Sequence, residues 1–142
     1  TKDTVHPSFV EIIKQMSPID ARIFQLITNA ESRPLINLIV KMEHDGSYPI
    51  QYHCSWIQDF SIKQCATSLD SLLRLGLIEI PFDECYTDEK IYNHVKQNPL
   101  FKKLEQSHKN SLPPGETLDY EKSYIKLPDL SLLFYEVCVL NP

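Results

Sequence analysis

The stretch Ser68–Ile78, SLDSLLRLGLI, predicts a helix that stops at a glycine. Its leucines recur with helical spacing and are expected to pack inward: Leu69, Leu72, Leu73 and Leu75. Thr67 or Ser68 can cap the start of this helix, and Asp70 suits its positive N-terminal end. Gly76 fits the left-handed position that ends many helices, so the helix is predicted to stop there.

Two further helices are predicted before this stretch. Pro7 fits the first position of an amphipathic helix, because its missing N–H costs nothing there. The motif SPID at Ser17–Asp20 ends that helix and begins another: its serine can cap, its proline needs no amide partner, and its aspartate can complete a capping box. The second helix is expected to run to about Ala30.

A hairpin is predicted between the second and third helices. Ile36–Met42 is largely apolar, and the pair Asp45-Gly46 supplies favoured turn chemistry. From Ile50 to Trp56 apolar and polar residues alternate, a period of two that indicates a strand with one buried face.

The residues after the glycine stop indicate an α+β domain. Leu77–Ile80 and Ser123–Leu127 are predicted as paired strands, with a helical segment at Glu89–Lys109 and an exposed loop at Leu112–Glu121 between them. A helix followed by two paired strands and a closing helix is typical of winged-helix domains. We therefore expect a winged-helix-like domain with a small antiparallel sheet and a long helical insertion between the wing strands. The closing helix, opened by Pro128, carries an apolar set: Leu130, Leu133, Phe134 and Val137.

Length and composition fit one domain over residues 1–142. The chain has 142 residues, 42% hydrophobic and 23% charged, enough to build one core. No apolar run approaches the about 18 residues of a membrane span, and the polar Thr1–Val5 start predicts no signal peptide. Four cysteines without a CxxC pair suggest reduced thiols in the cytoplasm. The net charge of −5 disfavours nucleic acid and anionic membranes as main partners.

Three segments carry a resemblance to a known family. His6–Ala21, Ser68–Ile78 and Ile125–Leu130, followed by Phe134 and Cys138, resemble the landmarks of the abortive-infection alpha (Abi-alpha) family, in the same order. The resemblance spans nearly the whole chain. It implies a bacterial or phage-borne protein linked to phage exclusion.

The resemblance also has limits. Members of the family are usually longer, which implies that this chain corresponds to a C-terminal portion without its N-terminal region. Pro128 and Ser131 depart from the pattern, where Thr or Ser and Gly are expected. The resemblance supplies no catalytic residue.

The sequence carries no catalytic or metal-ligating constellation. Candidate zinc ligands match no zinc finger or knuckle in their spacing: Cys54, Cys65, Cys85 and His94. A nucleophilic pair of Cys85 and His94 would need an oxyanion hole, and no glycine-rich turn adjoins the cysteine. Three glycines leave no phosphate-cradling loop. We therefore expect no enzyme activity, no metal and no cofactor.

The charge of the predicted third helix bears on the function. This helix carries Arg74 against Asp70, too little positive charge for a phosphate-binding face. We therefore expect an interaction or sensing module that binds a protein partner or its own N-terminal region, with a homo-oligomer also possible. The alternative is a winged-helix DNA-binding regulator whose contacts would be Lys63 and Arg74. A third alternative is an enzyme whose active site is shared with the N-terminal region.

Overall fold

An antiparallel sheet lies between two layers of helices in the computed structural model, which describes residues 7–140, with side chains for residues 7–138. Within these residues the sheet has three strands: β1 (Pro34–Lys41), β2 (Ser47–Cys54) and β3 (Thr117–Tyr124). Their order is β2-β1-β3, so β1 is central. The prediction of an α+β fold is confirmed. The polar Thr1–Val5 start lies outside the described residues.

Six α-helices surround the sheet in the described part of the chain: α1 (Pro7–Gln15), α2 (Pro18–Asn29), α3 (Ile62–Arg74), α4 (Asn93–Lys96), α5 (Pro99–Lys109) and α6 (Asp129–Phe134). A 3₁₀ turn at Glu89–Tyr92 leads into α4, and a π-helical segment at Tyr135–Leu140 extends α6. Helices α1, α2, α3 and α6 share one core cluster with Leu35 of β1. The segment from the 3₁₀ turn to α5 shares a second cluster with Ile36 and Leu38.

Two of the signals predicted at helix ends are confirmed, the capping box before α2 and the glycine at the end of α3. Ser17 Oγ accepts the N–H of Asp20 at 3.0 Å, and Asp20 Oδ2 accepts the N–H of Ser17 at 3.1 Å, which is a complete capping box. At the end of α3, Gly76 adopts φ +75°. The N–H of Leu77 then donates to the carbonyl of Leu72 at 3.0 Å, as in a Schellman motif.

The predicted start of α3 is wrong. The helix begins at Ile62, so Thr67 and Ser68 lie inside it. Its cap is Ser61, whose side chain accepts the N–H of Gln64 at 3.1 Å while Gln64 Oε1 accepts the N–H of Ser61 at 3.0 Å. A serine followed three residues later by glutamine is a capping box, and this motif precedes Thr67 and Ser68 along the sequence.

The predicted exposed loop at Leu112–Glu121 is also wrong in its second half, because β3 begins at Thr117 and pairs with β1 along its whole length. Leu118 and Tyr120 pack against the second core cluster, and this alternation is that of a half-buried strand. The pairing expected between the wing segments is a single antiparallel bridge, Glu79 with Lys126.

We expect Ser17→Ala to lower the free energy of unfolding by about 1 kcal/mol, because the first turn of α2 loses its cap. Urea unfolding followed by circular dichroism measures the change. Ser47→Ala, at an exposed serine of the hairpin, is the matched control and is expected to stay within about 0.5 kcal/mol of wild type. Equal losses in both variants would contradict the assigned cap.

Candidate functional site

A cleft of about 560 Å³ lies between the sheet, the C-terminal end of α3 and the loop 80–83. Polar residues of all three strands reach it, including Asn37 from β1, His53 from β2 and Ser123 from β3. Leu73 of α3 and Ile80 of the loop supply apolar walls. The cleft therefore combines polar groups with apolar surface, as ligand pockets do.

Irregular pairing between β1 and β2 brings His53 to the cleft. Ile36 pairs with Cys54 but Leu38 pairs with Gln51, so two residues of β2 lie opposite Asn37. Such a bulge turns side chains away from the regular alternation. His53 adopts φ +60°, uncommon for a residue with a side chain, and its N–H donates to Asn37 Oδ1 at 2.9 Å.

The imidazole of His53 lies beside the carboxylate of Asp70 on α3. His53 Nδ1 is 3.6 Å from Asp70 Oδ1, and the His53 side chain is 21% exposed. Burial lowers the pKa of His53, and the carboxylate of Asp70 opposes this shift only in part. The ring is therefore mainly neutral near pH 7.

Ser123 carries a buried hydroxyl on the strand that borders the cleft. Its Oγ has no hydrogen-bond partner within residues 7–138, whereas its backbone carbonyl accepts the O–H of Tyr92 at 2.9 Å. Serine nucleophiles need a base within hydrogen-bond reach. Ser123 is not bonded to His53, so serine, histidine and aspartate around this cleft do not form a catalytic triad.

The charged groups at the cleft are mainly acidic. Glu121 accepts a hydrogen bond from Asn37 Nδ2 at 3.4 Å, and Asp83 adopts φ +58° in the loop. Neither carboxylate forms an ion pair with any residue that the structure describes. Lys122 also borders the cleft, but its Nζ lies 3.0 Å from Glu89 Oε1, so its charge is already matched.

A second surface is formed by α1 and α6, which pack together through Phe9 and Phe134, with ring centroids 5.3 Å apart. We define the α1/α6 surface as five aliphatic residues of these helices that are 45–50% exposed: Val10, Ile13, Leu130, Leu132 and Leu133. Beside it, Ile13, Phe134 and Cys138 line an apolar groove of about 280 Å³. The sequence predicted an apolar set on α6, but the short helix buries only part of it.

Lys63 and Arg74, the residues expected to contact DNA, lie at opposite ends of α3. They are eleven positions apart in the helix, which corresponds to about 16 Å along the axis. Arg74 Nη2 donates to Ser71 Oγ at 3.1 Å, and Lys63 borders a shallow depression that also contains Ser17 and Thr67. The structure does not bring the two cations together, and Asp70 lies between them on the same helix.

The cysteines are dispersed. Cys54 belongs to the second core cluster and Cys65 to the first, whereas Cys85 is exposed. Burial raises the pKa of the Cys54 thiol to about 12 and that of Cys65 to about 11, so both stay protonated and unreactive. Within residues 7–138, no three His, Cys, Asp or Glu side chains gather as a metal site.

The model of the family described as abortive infection alpha matches residues 1–138. The chain belongs to this family. None of the curated proteins matches it. A solved structure described as an uncharacterized protein from the hydrocarbon-degrading marine bacterium Alcanivorax borkumensis SK2 resembles this Abi-alpha chain with a TM-score of 0.49. The two are 16% identical over 91% of this chain and 90% of the other. In the described part of this chain, no helix is both long and apolar enough to cross a bilayer.

We expect the stability of the protein to fall as the pH drops below about 6.5, in part through His53. Burial lowers the pKa of His53 in the folded state, so the unfolded chain takes up its proton first. The stability present above the ordinary histidine pKa is thus lost as the pH falls through the folded-state value. His53→Asn removes the imidazole while tolerating φ +60°, and should lose less stability than wild type between pH 7.5 and pH 5.

Thermal unfolding of both proteins across this pH range measures the difference. His44→Asn, which removes an exposed imidazole from the hairpin turn, is the matched control. Equal pH dependence in wild type and His53→Asn would contradict the burial of a neutral imidazole at this position.

Proposed function

We propose that this Abi-alpha chain is a non-catalytic interaction module in the cytoplasm, which senses phage infection by binding a protein partner. The observation that supports it is the α1/α6 surface. A helix of a monomeric protein normally turns its aliphatic face inward, and contiguous exposed apolar patches mark interaction sites. Here Leu130, Leu132 and Leu133 of one short helix are all close to half exposed.

The chemistry of this surface favours an amphipathic helix with basic flanks as its occupant. The groove beside Ile13 can receive aliphatic side chains, which is how helices dock into apolar grooves. Glu11 of α1 is already paired with Lys14 at 3.6 Å, and Asp129 adds a negative charge in the first turn of α6. A partner helix with lysine or arginine beside its apolar face complements this charge.

We expect Ile13→Asp and Leu133→Asp to abolish phage protection by the complete protein, because a carboxylate on the α1/α6 surface opposes apolar docking. Plaque counts on cells carrying each variant, over a panel of phages against which the wild type protects, measure the effect. Met42→Asp changes an aliphatic residue that is 36% exposed in the hairpin and should retain protection. Unchanged melting temperatures separate lost docking from lost folding.

Three outcomes would overturn this proposal. Full protection by both aspartate variants would show that the surface is not used. A dimer of the isolated chain in sedimentation, dissociated by Leu133→Asp, would make the occupant a second copy. If the surface is instead covered in the complete protein by its own N-terminal region, both variants will lower the melting temperature of the complete protein but not that of the isolated chain.

The second candidate function is DNA binding, and the exposed position of Lys63 and Arg74 on α3 is its support. Helices that bind DNA present several cations on one face, since phosphate contacts dominate affinity. This helix offers one cation at each end with Asp70 between them, and the chain is negative overall. The charge pattern therefore favours protein over DNA.

We expect random duplex DNA to bind the chain with a dissociation constant weaker than about 10⁻⁴ M, the weak limit of ordinary nonspecific binding. Fluorescence anisotropy of labelled duplexes across a salt series measures it. Submicromolar binding with a steep salt dependence, weakened by Arg74→Ala but not by Arg22→Ala, would favour the regulator instead.

A further inference from the structure

A depression of about 430 Å³ lies between the start of α2 and one face of α3. We call it the α2/α3 depression and define it by six of the residues that border it: Ser17, Ile19, Lys63, Gln64, Ser68 and Ser71. Residues four apart on a helix have Cβ atoms about 5–6 Å apart, so the side chains from α3 form two adjacent rows. The depression contains none of the five residues that define the α1/α6 surface.

The polar groups that remain available in the depression are mainly hydrogen-bond donors. Ser17 Oγ already accepts a backbone N–H from the first turn of α2 at 3.0 Å. Gln64 Oε1 accepts the N–H of Ser61 at 3.0 Å, and Ser71 Oγ accepts a hydrogen bond from Arg74 Nη2 at 3.1 Å. In each of these side chains the oxygen is engaged, whereas the O–H or NH₂ hydrogens are free to donate.

Ser68 is a buried polar residue whose hydroxyl has no partner. It is 3% exposed and borders the depression, and its Oγ forms no hydrogen bond within residues 7–138. Among the described side chains, the unpartnered oxygen that is sealed from solvent belongs to Ser123, so Ser68 Oγ keeps accessible surface. A serine inside a helix often donates to a carbonyl of the preceding turn, and a buried hydroxyl without any hydrogen bond is unfavourable. A ligand oxygen in the depression supplies the missing partner.

The charges around the depression favour an anion. Lys63 forms no ion pair with any residue that the structure describes, and the guanidinium of Arg74 contacts Ser71. The twelve-residue helix α2 adds the positive end of its dipole. Asp20 also borders the depression, but it is 6% exposed and its Oδ2 accepts the N–H of Ser17 at 3.1 Å. The two cations therefore outnumber the one carboxylate, which is engaged in the capping box.

We propose that the α2/α3 depression binds a small phosphomonoester by its terminal phosphate. The phosphate oxygens accept hydrogen bonds from the ammonium of Lys63, the hydroxyl of Ser68 and the amide of Gln64. A phosphomonoester has three strong acceptor oxygens and a charge near −2, so it engages more of these donors than a carboxylate does. The organic part lies against Ile19, which is 36% exposed. A nucleoside monophosphate and a sugar phosphate share this chemistry.

The test is a titration of the isotopically labelled chain, followed by ¹H–¹⁵N spectra at constant ionic strength and a pH at which the phosphate is a dianion. The probes are adenosine 5′-monophosphate, glucose 6-phosphate and sodium acetate. We expect at least one of the phosphates to shift the amides of Lys63, Ser68 and Ser71 with a dissociation constant of about 1 mM. Binding of one phosphate alone assigns a nucleotide or a sugar phosphate, and equal binding of both assigns recognition to the phosphate. Acetate should bind at least about tenfold more weakly.

Variants assign the interaction to named groups. Ser68→Ala and Lys63→Gln should each weaken binding of the phosphate by about tenfold, and Ser68→Ala should keep the melting temperature because its hydroxyl has no hydrogen bond to lose. Lys102→Gln and Ser47→Ala, at exposed positions outside the depression, should leave the affinity unchanged. Shifts confined to other parts of the chain, equal affinity for acetate, or full affinity in Ser68→Ala would overturn the proposal. Leu133→Asp should bind the phosphate as wild type does, so these results are independent of protein docking on the α1/α6 surface.

Discussion

The burial of β1 on both of its faces is the constraint on which the rest of this structure depends. Leu35, Ile36, Leu38 and Val40 have no exposed surface, and burying such a side chain contributes about 1.5–3 kcal/mol. Successive residues of a strand point to opposite sides, so one helical layer cannot cover them all. The strand therefore requires helices on both sides and a β-strand along each edge. The two edge strands and the helices of the two core clusters meet these needs.

Asn37 is the exception within this strand, and the candidate cleft follows from it. A polar residue in a buried strand needs partners, and Asn37 finds them in the backbone N–H of His53 and the carboxylate of Glu121. The bulge opposite Asn37 makes the first of these contacts possible. The same bulge holds His53 with a positive φ, a conformation that is unfavourable for most side chains. The hydrogen bond from the His53 N–H to Asn37 Oδ1 therefore links the polar residue of β1 to the irregular pairing of β2 opposite it.

Much of the fold was predictable from the sequence, because its signals are local. The SPID motif, the Asp45-Gly46 turn and the glycine at the end of α3 each act within a few residues, and the structure has all three. The pairing of β3 was not predictable in this way. Its partner β1 lies about eighty residues earlier, and proline and glycine just before it favoured a loop.

The candidate site was less predictable than the fold. Residue type alone points to Lys63 and Arg74 as DNA contacts, whereas in the structure they lie at opposite ends of α3. The cleft could not be found from the sequence because its residues come from three strands, one helix end and a loop. A single signal existed: Asn37 interrupts the apolar run from Leu35 to Val40, and a lone polar residue there needs an explanation. Family membership adds no residue roles to this picture.

The segment between Ile80 and Thr117 limits which deletions the chain can accept. It looks like an insertion in sequence, yet Tyr92, Val95 and Phe101 from this segment cover Ile36 and Leu38. A chain shortened here would expose a β-branched apolar strand of the kind that stacks into cross-β fibrils. By covering this strand, the segment protects the chain against aggregation. Natural or engineered deletions should therefore be confined to the Pro113–Gly115 turn, which lies outside this packing.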